Sequence, residues 1–221
     1  MSIIVANLLG ASLAMAADAR DSYVGAYGLI GVARTNNLQQ LPTTTYEFIN
    51  DSSDNNGLTG GAGIWAGYDL QPRFNVPFSV ELAGSYRHRH DENITFTDAG
   101  LTYAEKADVR TTDIMASALW HLPDVWSVKP YVGGGAGAVF IQSDTFEQSP
   151  STVPGTGDDR TNFAWQLQAG LLYPLNERFD MRLDYRYIDM GRVSMGAFPT
   201  LDTFEYDLAS HDIRIGFDYK F

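Results

Sequence analysis

The chain has 221 residues, with 27 acidic side chains against 15 lysines and arginines, and it contains no cysteine. The acidic balance argues against nucleic acid as a partner, and the missing cysteine excludes disulfides and thiolate chemistry. After the N-terminal segment, no stretch reaches the roughly 18 consecutive apolar residues of a transmembrane helix. Membrane-spanning strands are shorter and only half apolar, so this observation does not exclude a membrane β-barrel.

The first predicted element is a targeting segment. A mostly apolar run that starts at Ile3 ends in Ala14-Met15-Ala16. Such a run closed by an A-x-A motif is typical of a secretory signal peptide. No Lys or Arg precedes it, which a start codon assigned too far downstream would explain. We predict a signal peptide with a truncated n-region over 1–16 and a barrel domain over 17–221. The alternative is a buried helix or a first strand.

The rest of the chain alternates between apolar and polar residues in eight segments. Successive side chains of a strand point to opposite faces, so each segment has one apolar and one polar face. In the last segment Ile213 and Ile215 alternate with Asp212 and Arg214. The predicted strands are 22–34, 56–70, 77–89, 109–122, 128–143, 161–174, 179–191 and 208–221.

The connections between these strands alternate in length. The predicted short turns are 71–76, 123–127 and 175–178. The predicted long loops are 35–55, 90–108, 144–160 and 192–207. Short turns at one end and long loops at the other are typical of outer-membrane barrels. The predicted fold is all-β: an eight-stranded antiparallel transmembrane β-barrel with up-and-down topology, both termini lying on the periplasmic, short-turn side.

The strand charges predict which face points inward. A Lys or Arg at the lipid midplane costs about 2–4 kcal/mol, so the charged face should line the lumen, where opposite charges pair. A soluble lipocalin-like barrel would instead enclose its apolar face around a ligand cavity. The predicted lumen ion-pair network consists of Asp69, Glu81, Arg87, Arg89, Asp113, Asp180, Arg182, Asp184, Arg186, Asp212, Arg214, Asp218 and Lys220.

The four long loops are acidic. Their combined charge equals the whole formal net charge of −12. A solvated surface is the simplest interpretation. The alternative is divalent-cation binding that bridges the loops to anionic lipopolysaccharide, although no EF-hand spacing is present.

Three segments resemble one family. Asp184-Tyr185-Arg186-Tyr187-Ile188-Asp189-Met190-Gly191 resembles the Y-R-Y-x-D-x-G stretch of opacity-type porin-family proteins. The end of the chain, from His211 to Phe221, is similar to their H-x-I/V-R-x-G-x-x-Y-x-F ending, and 130–137 is similar to their glycine-rich fifth strand. The resemblance implies the barrel domain only, of the outer-membrane protein A/opacity type. It also implies that the barrel-assembly machinery recognises Phe221 as an assembly signal.

Three motifs resemble cofactor-binding, metal-binding or catalytic sites, but each has a structural explanation. Residues 61–66 fit the dinucleotide pattern G-x-G-x-x-A, but that pattern needs a following helix and here a strand continues. The cluster at 88–92 contains two histidines and would need further ligands from another loop to hold a metal. Ser210 and His211 are adjacent, so on a strand they face opposite ways. We therefore predict no catalytic residue, no cofactor and no metal.

The predicted function is that of a non-enzymatic bacterial outer-membrane protein. It would contribute to envelope structure and to surface interaction through four acidic extracellular loops. The alternatives are a small-solute porin of low conductance and a lipid A-modifying enzyme. The expected partners of this monomer are outer-membrane lipid and lipopolysaccharide, the barrel-assembly machinery, and a surface ligand or host receptor that the sequence does not identify.

Overall fold

A computed structural model describes the backbone of residues 21–41, 55–98, 101–149, 151–154, 158–195 and 203–221. It describes side chains within 21–34, 57–88, 110–142, 159–192 and 207–221. The signal peptide predicted over 1–16 lies outside these residues.

The described backbone is almost entirely β-strand. The strands are β1 (Ser22–Leu41), β2 (Asn55–Asp69), β3 (Phe78–Asp98), β4 (Leu101–His121), β5 (Lys129–Ser149), β6 (Ser151–Pro154), β7 (Asp158–Pro174), β8 (Phe179–Met195) and β9 (Thr203–Lys220). A one-turn helix, α1 (Gln71–Phe74), connects β2 to β3 and has proline in its first turn. No helix in the described part of the chain is long and apolar enough to cross a membrane.

The sheet closes on itself. Each of the eight long strands pairs antiparallel with two long neighbours, and β1 pairs with β9 to complete the ring. The four-residue β6 pairs only with the end of β5, which also pairs with β4 and β7. The prediction of an eight-stranded antiparallel up-and-down barrel is confirmed.

The strands are longer than predicted at the end that carries the long connections. β3 and β4 remain paired until Asp98 meets Leu101, so the predicted loop at 90–108 is wrong and most of it is a β-hairpin. The predicted loops 35–55, 144–160 and 192–207 also begin or end within strands. Alternation marks a strand only where one face is buried, whereas backbone pairing needs no such pattern. The strands predicted from sequence periodicity are therefore shorter than the strands in the structure.

Three strands change register near this end of the barrel. The shifts fall between Asn36 and Gln39, between Arg87 and His90, and within β8 at Gly191, whose φ is 72°. This left-handed conformation favours glycine, and a β-bulge bends the strand locally. The shift in β3 overlaps the histidine cluster at 88–92.

Side-chain burial distinguishes the two faces of the barrel wall. On β9, Ile213, Ile215 and Phe217 are 55%, 56% and 54% exposed, whereas Asp212 and Arg214, which alternate with them, are buried. The apolar face therefore points outward and the charged face points inward. This arrangement is the reverse of a soluble barrel, because the outer surface needs an apolar solvent.

Candidate functional site

The interior is organised in layers along the barrel axis. Strand β8 contributes an inward side chain to each layer at two-residue spacing. From the short-turn end to the long-hairpin end these side chains are Asp180, Arg182, Asp184, Arg186, Ile188 and Met190, and all are buried. The charged layers therefore give way to an apolar layer.

The layer nearest the short turns is centred on Arg182. Its Nη1 donates to Oε2 of Glu81 at 2.6 Å, and its Nε and Nη2 donate to Oδ2 of Asp218 at 3.0 and 2.7 Å. Tyr23 donates to the same Glu81 oxygen at 3.0 Å, and the indole N–H of Trp65 donates to Asp218. These contacts join strands β1, β2, β3, β8 and β9 into one hydrogen-bonded unit, which we call the Arg182 layer.

Three aromatic rings surround the Arg182 guanidinium. Its central carbon lies 4.1 Å from the ring centroid of Trp65, 5.3 Å from that of Tyr23 and 5.5 Å from that of Tyr131. Ring faces attract cations within about 6 Å, and the attraction strengthens where water is excluded. The rings therefore stabilise a buried cation and fill the space beside it.

Arg214 forms a second buried layer with Asp184. Its Nε and Nη2 contact the two carboxylate oxygens at 2.6 and 3.0 Å, which is a bidentate pair. Gln168 accepts a further hydrogen bond from Nη2 at 2.5 Å, and the Tyr131 hydroxyl donates to Asp184 at 2.7 Å.

The third layer is a four-charge cluster of two arginines and two aspartates. Arg87 contacts Asp113 at 2.7 Å and Asp212 at 2.6 Å. Arg186 contacts the same two carboxylates at 3.3 and 2.7 Å. Breaking a buried pair from one side is costly, about 3–5 kcal/mol, because the partner is left uncompensated. Ser85 donates a hydrogen bond to Asp113 and Ser210 donates one to Asp212. Gln166 accepts one from Arg186.

An apolar layer closes the described interior beyond the four-charge cluster. The sequence interpretation missed it, because it assigned the lumen face from charged residues and the members of this layer are uncharged. The two-residue spacing that continues from Arg186 to Ile188 would have indicated it. Its members are Ala33, Met115, Val139, Ile141, Ala164, Ile188, Met190 and Leu208.

The remaining predicted lumen residues lie at the short-turn mouth or outside the described side chains. Lys220 contacts Asp180 at 2.8 Å. Asp69 is half-buried at the mouth and accepts the backbone N–H of Gln71 at 2.9 Å, so it lies apart from the buried layers. The side chain of Arg89 is outside the described residues. The lumen aromatics were also missed, although Trp65 shares the inward parity of Asp69.

Two of the three potentially reactive motifs lie among the described side chains, whereas the side chains of the 88–92 cluster after His88 lie outside them. Residues 61–66 lie within the continuous strand β2. Ser210 points inward and donates to Asp212 at 2.6 Å, whereas His211 lies against the Tyr185 hydroxyl at 2.5 Å on the outer face. Within the described ranges, no group of three or more His, Cys, Asp or Glu residues is placed to hold a metal ion.

A polar, ion-paired interior inside an apolar outer surface is the arrangement of an outer-membrane barrel. The sequence matches the family described as outer membrane protein β-barrel domain over residues 3–221. The chain belongs to this family. The predicted resemblance to porin-family outer-membrane barrels and the transmembrane fold class are thereby confirmed, and the protein is an outer-membrane protein.

Similar proteins agree with this assignment. Outer membrane protein PagN of Salmonella typhimurium is 28% identical over 183 residues, which are 75% of this chain and 74% of that protein. The crystal structure of OprG from Pseudomonas aeruginosa aligns over 92% of this chain and 97% of its own, with a TM-score of 0.59 and 15% identity. Neisserial surface protein A aligns over 90% and 97%, with a TM-score of 0.53 and 18% identity. At these identities the two structures show a shared fold alone.

Proposed function

We propose that the protein is a non-enzymatic component of the outer membrane that stabilises the envelope and contacts its surroundings through the hairpins at the long-connection end. The observation that carries this proposal is the filled interior. Three charged layers and an apolar layer occupy the described lumen, and their largest side chains are fully buried. Such a barrel contacts a partner through its hairpins and offers a solute no open path through the described lumen.

The filled interior also separates this proposal from a solute pore. A solute crossing the barrel would have to displace the apolar layer and several ion pairs together. We expect purified protein in planar bilayers to give no large steady channels. Steady openings of porin-like size would contradict the proposal and support the porin alternative.

A second experiment tests the alternative that the protein is a lipid A-modifying enzyme. The lipid A mass spectrum of a deletion strain should equal that of the parent strain. A mass shift that returns to normal on complementation would contradict the non-enzymatic assignment. The same strains allow binding of host cells, lipopolysaccharide and divalent cations to be compared, with hairpin 90–108 exchanged for a short turn as the loop-specific variant.

We also propose that the short turns and both termini face the periplasm and that the long hairpins are extracellular. The absence of native cysteine makes single-cysteine labelling direct. A membrane-impermeant maleimide should label Thr97→Cys in intact cells and Ser127→Cys only after permeabilisation. The opposite labelling pattern would show the inverse orientation.

Phe221 is proposed as the residue that the barrel-assembly machinery recognises. Its backbone N–H donates to the carbonyl of Ser22 at 3.1 Å, and its exposed ring lies edge-on to Tyr219 at 5.3 Å. Phe221→Ala should lower the amount of folded protein in outer membranes while leaving refolding of purified chains unchanged. Phe217→Ala, an exposed aromatic on the same strand, is the matched control. Equal effects of both substitutions in cells would refute the signal.

A further inference from the structure

A cavity of about 670 Å³ opens at the short-turn end of the barrel. Arg182 and Asp218 of the Arg182 layer line it, together with wall residues such as Ser79, His121 and Leu172. Small-ligand sites typically measure about 300–1,000 Å³ and combine apolar walls with a few placed polar groups. The cavity therefore has the size and the mixed lining of a binding site.

Half of the charged side chains that line this cavity already have ion-pair partners. Arg182 is held by Glu81 and Asp218, and Lys220 is held by Asp180. Within the described side chains, no ion pair involves the remaining charged lining residues. These are Asp21, Asp69, Asp124 and Lys129.

The unpaired charges lie on opposite sides of the mouth. Asp21 precedes β1 and Asp69 ends β2, whereas Lys129 begins β5. Around the ring β5 stands four strands from β1 in either direction, so it is diametrically opposite. Asp124 lies in the turn before β5 and is exposed at the rim. The cavity thus has two carboxylates on its β1–β2 side and an ammonium group on its β5 side, with the Asp124 carboxylate in the turn that precedes β5.

The wall between these two sides is uncharged along β3 and β4, whereas β8 and β9 carry ion pairs that are already formed. Ser79 Oγ and His121 Nε2 lie 2.5 Å apart on β3 and β4 and form a hydrogen-bonded pair. Leu172 on β7 and Pro77 before β3 add apolar surface. A ligand that matches this lining carries an ammonium group, a carboxylate and an aliphatic body.

We propose that the cavity binds a short zwitterionic peptide or an amino-acid-like molecule. The ligand's ammonium group is held by Asp21 and Asp69, and its carboxylate is held by Lys129. The aliphatic body rests against Leu172 and Pro77. The Arg182 layer forms a closed floor, so the ligand binds at the mouth and is not conducted.

The test uses trialanine with free ends and its doubly capped form, N-acetyl-trialanine amide, titrated calorimetrically into purified folded barrel at low salt. Trialanine should bind and the capped peptide should not. Asp69→Asn and Lys129→Gln should each weaken binding by up to about fivefold, because an exposed or partly exposed charge contact contributes up to about 1 kcal/mol. Glu177→Gln and Arg178→Gln, exposed in the short turn before β8 and outside the cavity lining, are the matched controls and should bind normally.

Singly capped peptides identify which pole each residue serves. Asp69→Asn should no longer affect affinity for N-acetyl-trialanine, and Lys129→Gln should no longer affect affinity for trialanine amide. Heat-modifiable gel migration verifies that each variant is folded. Equal binding of free and capped peptides, unchanged affinity in both pole variants, or no saturable heat with trialanine at millimolar concentration would each overturn the proposal.

Discussion

Gly170 on β7 provides a sharp test of how tightly the interior is packed. Its missing side chain leaves room for Tyr131 and Asp184. A Cβ at this position would lie 2.5 Å from Asp184 Cβ and 2.6 Å from the Tyr131 hydroxyl. Real Cβ atoms do not approach other atoms so closely, so Gly170→Ala must displace one of these side chains. The displaced group would weaken the 2.7 Å hydrogen bond between Tyr131 and Asp184.

The expected loss of stability has two parts. Overpacking a filled interior costs about 1–3 kcal/mol. Losing a hydrogen bond to a charged group adds about 1.5–3 kcal/mol if it breaks completely. We therefore expect Gly170→Ala to lower the free energy of unfolding by about 2.5–6 kcal/mol if the hydrogen bond breaks, measured by reversible urea unfolding in lipid or detergent.

Gly28→Ala is the matched control, because it lies on the outer face of β1 and an added Cβ meets no atom within 4 Å. It should be neutral or stabilising by up to about 1 kcal/mol, through lower entropy of the unfolded chain. Tyr131→Phe should make the Gly170→Ala penalty smaller, because the hydroxyl and its hydrogen bond are already absent. Equal unfolding midpoints for Gly170→Ala and Gly28→Ala would refute the packing argument.

Three further substitutions test individual layers by the same urea unfolding. Arg186→Ala leaves excess negative charge in the four-charge cluster and should lower the free energy of unfolding by about 3–5 kcal/mol. The control Arg178→Ala, at an exposed position, should change it by no more than about 0.5 kcal/mol. Similar values for both would contradict burial of the cluster away from water. Ile188→Ala should cost about 2–5 kcal/mol by opening a void in the apolar layer, and a negligible loss would mean that this layer is loosely packed. Trp65→Phe keeps a ring beside Arg182 but removes the N–H that donates to Asp218, so it should lower the free energy of unfolding by about 1–3 kcal/mol. The control Trp165→Phe, on the outer face, should be nearly neutral. Equal losses for the two variants would contradict the role of the Trp65 indole N–H.

The sequence predicted the barrel well where each strand separates lipid from a charged interior. On β9 the alternation of Ile213 and Ile215 with Asp212 and Arg214 determines both the strand and its faces. The same periodicity failed at the long-hairpin end, where pairing continues to Asp98 without an alternating pattern. The two kinds of information are different: alternation reports burial, and pairing reports backbone geometry.

The interior was only partly accessible from sequence, for a related reason. Charged residues identify the lumen face because lipid excludes them. Aromatic residues occur on both faces, so their type alone could not place Trp65 inside and Trp165 outside. Which carboxylate meets which guanidinium depends on the stagger between strands, and one sequence does not determine that stagger.

The four-charge cluster has a consequence for the order of assembly. Its members come from β3, β4, β8 and β9, and the contact between Arg87 and Asp212 spans 125 residues of sequence. Before the final strand arrives, no arrangement of the earlier ones can complete the cluster, and its charges keep their hydration. Dehydration of the charged interior and hydrogen-bonded pairing of β9 with β1 must therefore occur together. A sheet that stops one strand short gains neither the closed ladder nor the neutralised interior, so the barrel forms as a whole or remains open.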